Sequence, residues 1–290
     1  LMVDNYVNPS VGHVPLRRPA ADHIDALCDQ LAMPDARHGT GLAPKTVHEV
    51  HVIVLSSLDR ARRRRLVATN VAQATNARHK RQTRKVPRSW TAEELASFLA
   101  AARPHRLHPA LHLTACTGMR RGEVAGLKWS DLDRAAQRLS ISRTLQSLAG
   151  QPVEFPVKTR TSRRCIDLDD QTMDVLARWR RRLSRDGLPH DADDWVFVNP
   201  SGRFVNPESI SQLFGRLQGG LPELTRIRFH DLGHTHASLL IMDGVPVKVV
   251  SERLGHANVA FTMHTYQHLL PGMSAAAARQ FAALLAAHSR

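Results

Sequence analysis

Residues 229–268 read FHDLGHTHASLLIMDGVPVKVVSERLGHANVAFTMHTYQH, and the rest of the chain is interpreted around them. Six histidines fall in this stretch (His230, His234, His236, His256, His264 and His268), together with Tyr266, one of only two tyrosines in the chain. A phenol among imidazoles in a strongly basic protein suggests a nucleophile aimed at a phosphate. A metal reading is the alternative, because His264 and His268 have the i,i+4 spacing of zinc ligands and His230, His234 and His236 cluster. No acidic residue with a recognised metal-site spacing accompanies either group, so no metal is expected. His234 and His236 are read as supports for their helix and the core.

Working outward, the charge supports an anionic partner. Lys and Arg number 40 against 26 Asp and Glu, a formal net charge of +14, while the 42% hydrophobic content is ordinary for a globular protein. Nucleic acid is the first expectation and an anionic membrane surface the second. No apolar run of about 18 residues and no secretory leader pattern is seen, so the membrane reading is weak. Cys28, Cys116 and Cys165 lack the paired spacing of a zinc site or a disulfide framework. They fit a reducing cytoplasm, with Cys116 as a small core residue.

In chain order, residues 1–20 carry Pro and Gly punctuation and read as irregular. Helices are expected over 21–31, with Ile24, Leu27 and Leu31 inward, and over 46–65, with Val47, Val50, Val54, Leu55 and Leu58 inward. A basic run follows: Arg60, Arg62, Arg63, Arg64, Arg65, Arg78, Lys80, Arg81, Arg84, Lys85 and Arg88 against the single acid Asp59. It is read as a strap along a DNA backbone, since phosphate contacts give affinity without sequence choice. The bland alternative is a solvated linker. A fresh domain starts near Ser89, where Thr91 and Glu94 form a capping box. Helices are expected over 108–117 (ended by Gly118), 171–183, 207–217, 230–242 and 247–254, with a shorter one leading to Tyr266. Residues 138–169 alternate as strands turning at Gly150, a small antiparallel sheet, and WVFV at 195–198 reads as a short strand. The alanine-rich tail, about 274–287, reads as a closing helix.

These motifs together resemble the tyrosine recombinases, the phage integrase family. TGMRRGEVAGLKW resembles that family's first box, placing its arginine on Arg120 and its acid on Glu123. KTRTSRR resembles the β-hairpin segment, with the family's lysine on Lys158. FHDLGHTHAS resembles the second box, with a histidine on His230, and LGHANVAFTMHTYQH the third, with a histidine on His256 and the nucleophile on Tyr266. The second box normally reads His-x-x-Arg, and this chain has Gly233 where the arginine would fall.

The resemblance implies a mainly α fold with a small antiparallel β-sheet (α+β). It implies a partial helical core-binding domain at 1–77, a basic linker at 78–88, and a catalytic domain with a C-terminal helix at 89–290. The core-binding domain's usual first helix has no counterpart, so a truncated domain is expected. The implied activity is site-specific cutting and rejoining of double-stranded DNA through a 3′-phosphotyrosine, with no ATP, metal or other cofactor. Arg120, Lys158, His230, His256 and Tyr266 would be the catalytic set. His230 would take the phenol's proton, Arg120 and His256 would stabilise the phosphorane, Lys158 would be the general acid, and Glu123 would orient Arg120. A homotetramer on DNA in the nucleoid is implied, the C-terminal helix being a candidate for docking on a neighbouring protomer and an accessory DNA-bending protein a further candidate partner. The alternatives are a degenerate prophage integrase that binds without cutting, a type IB topoisomerase and a non-enzymatic DNA-binding regulator. Gly233 argues for the first of these, since losing one preorganised donor costs about 100- to 1000-fold in rate.

Overall fold

The computed structural model describes residues 2–16, 18, 20–34, 41–75, 88–157, 163–267, 278–279, 281–283 and 285–286. The chain divides into two units, Leu1–Lys85 and Val86–Arg290. Of the basic run, Arg78, Lys80, Arg81, Arg84 and Lys85 lie outside the described residues, as does the lysine at 158.

In the first unit, α2 (Ala21–Ala32) and α3 (Pro44–Arg63) pack through the stripes that periodicity predicts. Ile24, Leu27, Cys28 and Leu31 meet Val47, Val50, Val54 and Leu58. Pro44 opens α3, where a missing N–H does no harm. Asn70 ties the following turn to α3. Its Nδ2 donates to the Leu55 carbonyl (2.9 Å) and its Oδ1 accepts from the Ala72 N–H (3.1 Å). The irregular reading of the N-terminus needs correction, because a π-helical turn, Val3–Val7, runs into α1 (Asn8–Val11). Tyr6, Val7 and Val11 rest on the α2–α3 core, so apolar burial overrides the local Pro and Gly punctuation.

The second unit begins with α4 (Ala92–Ala102), where the expected capping box forms. The Thr91 N–H donates to Glu94 Oε2 (2.9 Å) and the Glu94 N–H to Thr91 Oγ1 (3.2 Å). The next helix, α5 (His108–Thr117), is buried on nearly every side and is the axis of the core. Gly118 ends it at φ +67, the left-handed conformation that favours glycine. A short helix, α6 (Arg121–Ala125), follows. The strands are β1 (Leu132–Asp133), β2 (Arg138–Ile141), β3 (Arg143–Leu148), β4 (Gln151–Pro156) and β5 (Arg164–Asp167). Among the described residues they form two antiparallel sheets, not one: β1-β2-β5, and the hairpin β3-β4. The chain changes sheet at Ser142, and the hairpin turns at Ala149 and Gly150, both at positive φ.

Helices α7 (Asp170–Arg185) and α8 (Pro207–Gly219) complete the outer layer, each capped at its N-terminus by Asp169 or Asn206. Between them WVFV is no strand. Trp195 and Val198 make only isolated bridges, to Lys128 and Phe204. The run is buried because loops and Trp179 take its polar groups, Trp179 Nε1 donating to the Val196 carbonyl. The opening stretch folds as α9 (Asp231–Met242), α10 (Val247–Leu254) and α11 (Val259–Tyr266), with Asn258 capping the last. Ala237, Ile241, Val250, Leu254 and Tyr266 close a small core among them. Trp90 pins the unit's first residues to this group. Its N–H donates to Thr235 Oγ1 (3.1 Å) and its Nε1 to the Thr225 carbonyl (2.7 Å), while its ring packs on Phe98 and Phe214. Of the tail, the described residues are helical, with Phe281 and Leu285 exposed; the rest of the expected closing helix lies outside them.

Candidate active site

The site is assembled around Glu123, a buried carboxylate in the first turn of α6. Arg120, immediately before that helix, donates to it twice: its backbone N–H to Oε2 (2.8 Å) and its Nη1 to Oε1 (2.9 Å). From β5, Arg164 grips both oxygens at 3.0 Å. Burial opposes ionisation of Glu123, but the Arg164 hydrogen bonds, with Arg120 added, outweigh it and hold the carboxyl below its ordinary range. Arg164 continues onward, Nε donating to the Arg253 carbonyl at 2.6 Å, and Arg120 Nη2 reaches the Gly255 carbonyl at 3.4 Å. The first lands on the last turn of α10 and the second on the turn that follows, which carries His256. The first box and the third are therefore joined through one carboxylate.

That turn depends on Gly255, at φ +64. A β-carbon there would stand 2.7 Å from Arg164 Nη1, so glycine is required both by conformation and by the arginine behind it. His256 bonds through Nδ1 to Thr262 Oγ1 (2.8 Å). Burial first, and then the positive charges of Arg120 and its neighbours, push its pKa down to about 4, so it is neutral at pH 7.

Helix α9 supplies the second side. His230 sits at its start and packs edge-to-face on His234, the ring centres 5.7 Å apart. His234 Nδ1 lies 2.6 Å from the Tyr266 hydroxyl. Burial, and then His230, hold His234 below its ordinary value. Tyr266 is 2% exposed, and burial alone raises its pKa well above that of a free phenol. The imidazole bonded to the Tyr266 hydroxyl is thus that of His234, which sequence reading treats as a support, while His230 packs on His234. His236 does take the supporting place: it is buried, with Nδ1 donating to the Ala115 carbonyl (3.1 Å). Gly233 lies between these groups in the first turn of α9. A β-carbon there would make only an ordinary 3.4 Å contact with the Gly118 carbonyl, so a side chain has room to start.

Arg120, His230 and Arg228 line one cleft of about 820 Å³, with Arg121, residues of β3 and the start of α8. His256 and Tyr266 are not among its lining residues. Sequence reading passes over Arg164 as well. Its signal is the strand period: Arg164 shares the inward face of β5 with buried Ile166, where an arginine requires a carboxylate. Among the described residues no group of three or more His, Cys, Asp or Glu is arranged to hold a metal.

Comparison with known proteins adds the family. The Phage integrase family profile matches residues 88–272. The ICEBs1 integrase of Bacillus subtilis (strain 168) is 28% identical over 80% of this chain and 64% of its own length. An integrase of Saccharopolyspora erythraea is 23% identical over 80% of this chain and 65% of its own. A XerC-like tyrosine recombinase of Caldanaerobacter subterraneus subsp. tengcongensis is 28% identical over 63% of this chain and 51% of its own. The chain thus spans between about half and two thirds of these relatives. Among solved structures, the Tn1549 transposon integrase bound to transposon right-end DNA has a TM-score of 0.75 at 18% identity, over 91% of this chain and 85% of that one. A lambda integrase dimer bound to a COC′ core site gives 0.60 at 19%, over 90% and 68%. The structural likeness establishes the fold, mainly α with small antiparallel sheets. With the family's profile matched over more than half its residues, the chain belongs to the phage integrase family.

Proposed function

We propose that the chain is a site-specific DNA recombinase in which Tyr266 attacks a phosphodiester. The observation that carries this reading is the series from the cleft inward: His230 on His234, and His234 on the Tyr266 hydroxyl at 2.6 Å. In the reaction the Tyr266 oxygen forms a bond to phosphorus, and the bond to the 5′ oxygen breaks. A 3′-phosphotyrosine and a 5′ hydroxyl result, and the reverse step rejoins the strand. The phenol's proton passes to His234, with His230 beside it at the cleft. Arg120, oriented by Glu123, stabilises the charge gathered on the phosphorane, with neutral His256 as a hydrogen-bond donor. Lys158, by its place in the KTRTSRR segment, would protonate the leaving oxygen.

In this reading residues 1–77 are a partial core-binding domain, 78–88 a phosphate-binding strap and 89–290 the catalytic domain. The protein works in the nucleoid as a homotetramer on duplex DNA, with the C-terminal helix bridging protomers. Gly233 favours a second reading, a relic that binds DNA but no longer cuts it. The test is a nicked suicide substrate, built on the core site selected from a random duplex library and offered to the wild-type chain, Tyr266→Phe and Gly233→Arg. A covalent adduct from the wild type that is lost in Tyr266→Phe supports the enzyme. An adduct from Gly233→Arg alone supports the relic, and none from either removes the activity.

A further inference from the structure

Two arginines in the cleft are built to the same plan. Arg120 donates through its backbone N–H and its guanidinium to the carboxylate three residues on, Glu123. Arg228 does the same with Asp231: backbone N–H to Oδ2 at 2.9 Å, Nε to Oδ2 at 3.1 Å and Nη2 to Oδ1 at 2.9 Å. Each clamp stands at the start of a helix, α6 or α9, and both arginines line the one cleft with His230. In both, the carboxylate is buried (side-chain exposure 4% for Glu123 and 6% for Asp231), while the guanidinium faces outward (42% for Arg120 and 81% for Arg228). A carboxylate held behind its arginine orients it without presenting negative charge to a ligand. Arg121, in the same cleft, differs: its partner Glu208 is 56% exposed and would itself repel a phosphate.

We propose that Arg228, clamped by Asp231, is a second phosphate-binding arm of the cleft, supplying from the residues before α9 the guanidinium that Gly233 does not. The assignment rests on reading this cleft as the place of the scissile phosphate. Planar N–H edges pointing at one anion from two sides are the arrangement that binds phosphate oxygens with fixed geometry. The Arg228–Asp231 pair has no net charge, so its pull on an anion is short in range, unlike that of Arg120, whose partner Glu123 is shared with a second arginine. Arg228 is therefore a weaker arm than Arg120, worth about tenfold in phosphate affinity.

The experiment is a titration of the full chain with inorganic phosphate and with orthovanadate, following the imidazole nitrogens of His230 and His256 by NMR. Wild type, Arg228→Gln, Arg228→Lys, Gly233→Arg and the Arg228→Gln/Gly233→Arg double variant are compared, each first checked by thermal melting. Residue 228 keeps its backbone bond to Asp231 in every variant. Arg228→Gln is expected to bind about tenfold more weakly, Arg228→Lys in between, and the double variant to recover the loss. If Arg228→Gln binds like wild type, the arm is wrong while the cleft remains a phosphate site. If phosphate moves neither histidine in the wild type, the cleft itself is misread and the proposal falls with it.

Discussion

The Tyr266 hydroxyl lies 2.6 Å from His234 Nδ1, on the residue that directly follows Gly233. A buried phenol thus has an imidazole bonded to it, while the adjoining position offers no cation. Removing either partner strands the other's polar atom, at a cost of about 1–3 kcal/mol. His234→Ala and Tyr266→Phe should therefore each destabilise the second unit. A double-mutant cycle by chemical denaturation should show a coupling of about 0.5–3 kcal/mol. Additive losses would mean that the contact contributes nothing.

Glu123→Gln should be among the most damaging single changes. Two arginines converge on this carboxylate, and removing one partner of a buried pair costs about 3–5 kcal/mol. Urea unfolding measures it. Because the folded pKa is depressed, the wild-type contribution is present above the unfolded carboxylate value and is lost as pH falls through the folded one. The variant's stability should accordingly be flatter on the acid side, and an equally steep acid limb would contradict the assignment.

Acidification should act earlier, through histidines. His108, His236 and His256 are each pushed down to about 4, burial being the leading cause for all three. Between about 4 and the ordinary 6.5 the unfolded chain binds protons that the folded one does not. Stability should be constant above that window and fall within it as pH drops, by up to about 1.4 kcal/mol per pH unit for each histidine. Unfolding free energies at pH 7, 6 and 5 test this, and His236→Gln should remove part of the slope. A flat profile over this range would refute it.

Two glycines with nearly the same backbone separate strain from crowding. Gly187 has φ +66 with no atom within 4 Å of an added β-carbon, whereas Gly255 has φ +64 with Arg164 Nη1 at 2.7 Å. Gly187→Ala should cost about 1–2 kcal/mol, the left-handed penalty alone. Gly255→Ala should cost clearly more, because it displaces Arg164 from Glu123. Equal losses in denaturant would show that the arginine gives way freely.

Much of this was legible in the sequence, and the misses share a cause. The Thr91–Glu94 box, the Gly118 stop and the stripes of α2 and α3 are local, so they follow from residue type and period. Residues 3–11 read as irregular from their Pro and Gly, yet Val3, Val7 and Val11 repeat every fourth residue and the segment is helical. WVFV has the composition of a strand, but its partners are distant loops that only the assembled core provides. Lys158 falls outside the described residues. The sequence pairs Tyr266 with His230, whereas the ring bonded to the phenol is that of His234, one turn of helix further on.

The bond from the Trp90 N–H to Thr235 Oγ1 has a mechanical consequence. Thr235 is the next residue after His234, so the backbone at Trp90, near the start of the second unit, is fastened one residue away from the ring that holds the phenol. A displacement of the backbone at Trp90 would therefore bear on α9 one residue from His234, the ring bonded to the Tyr266 hydroxyl.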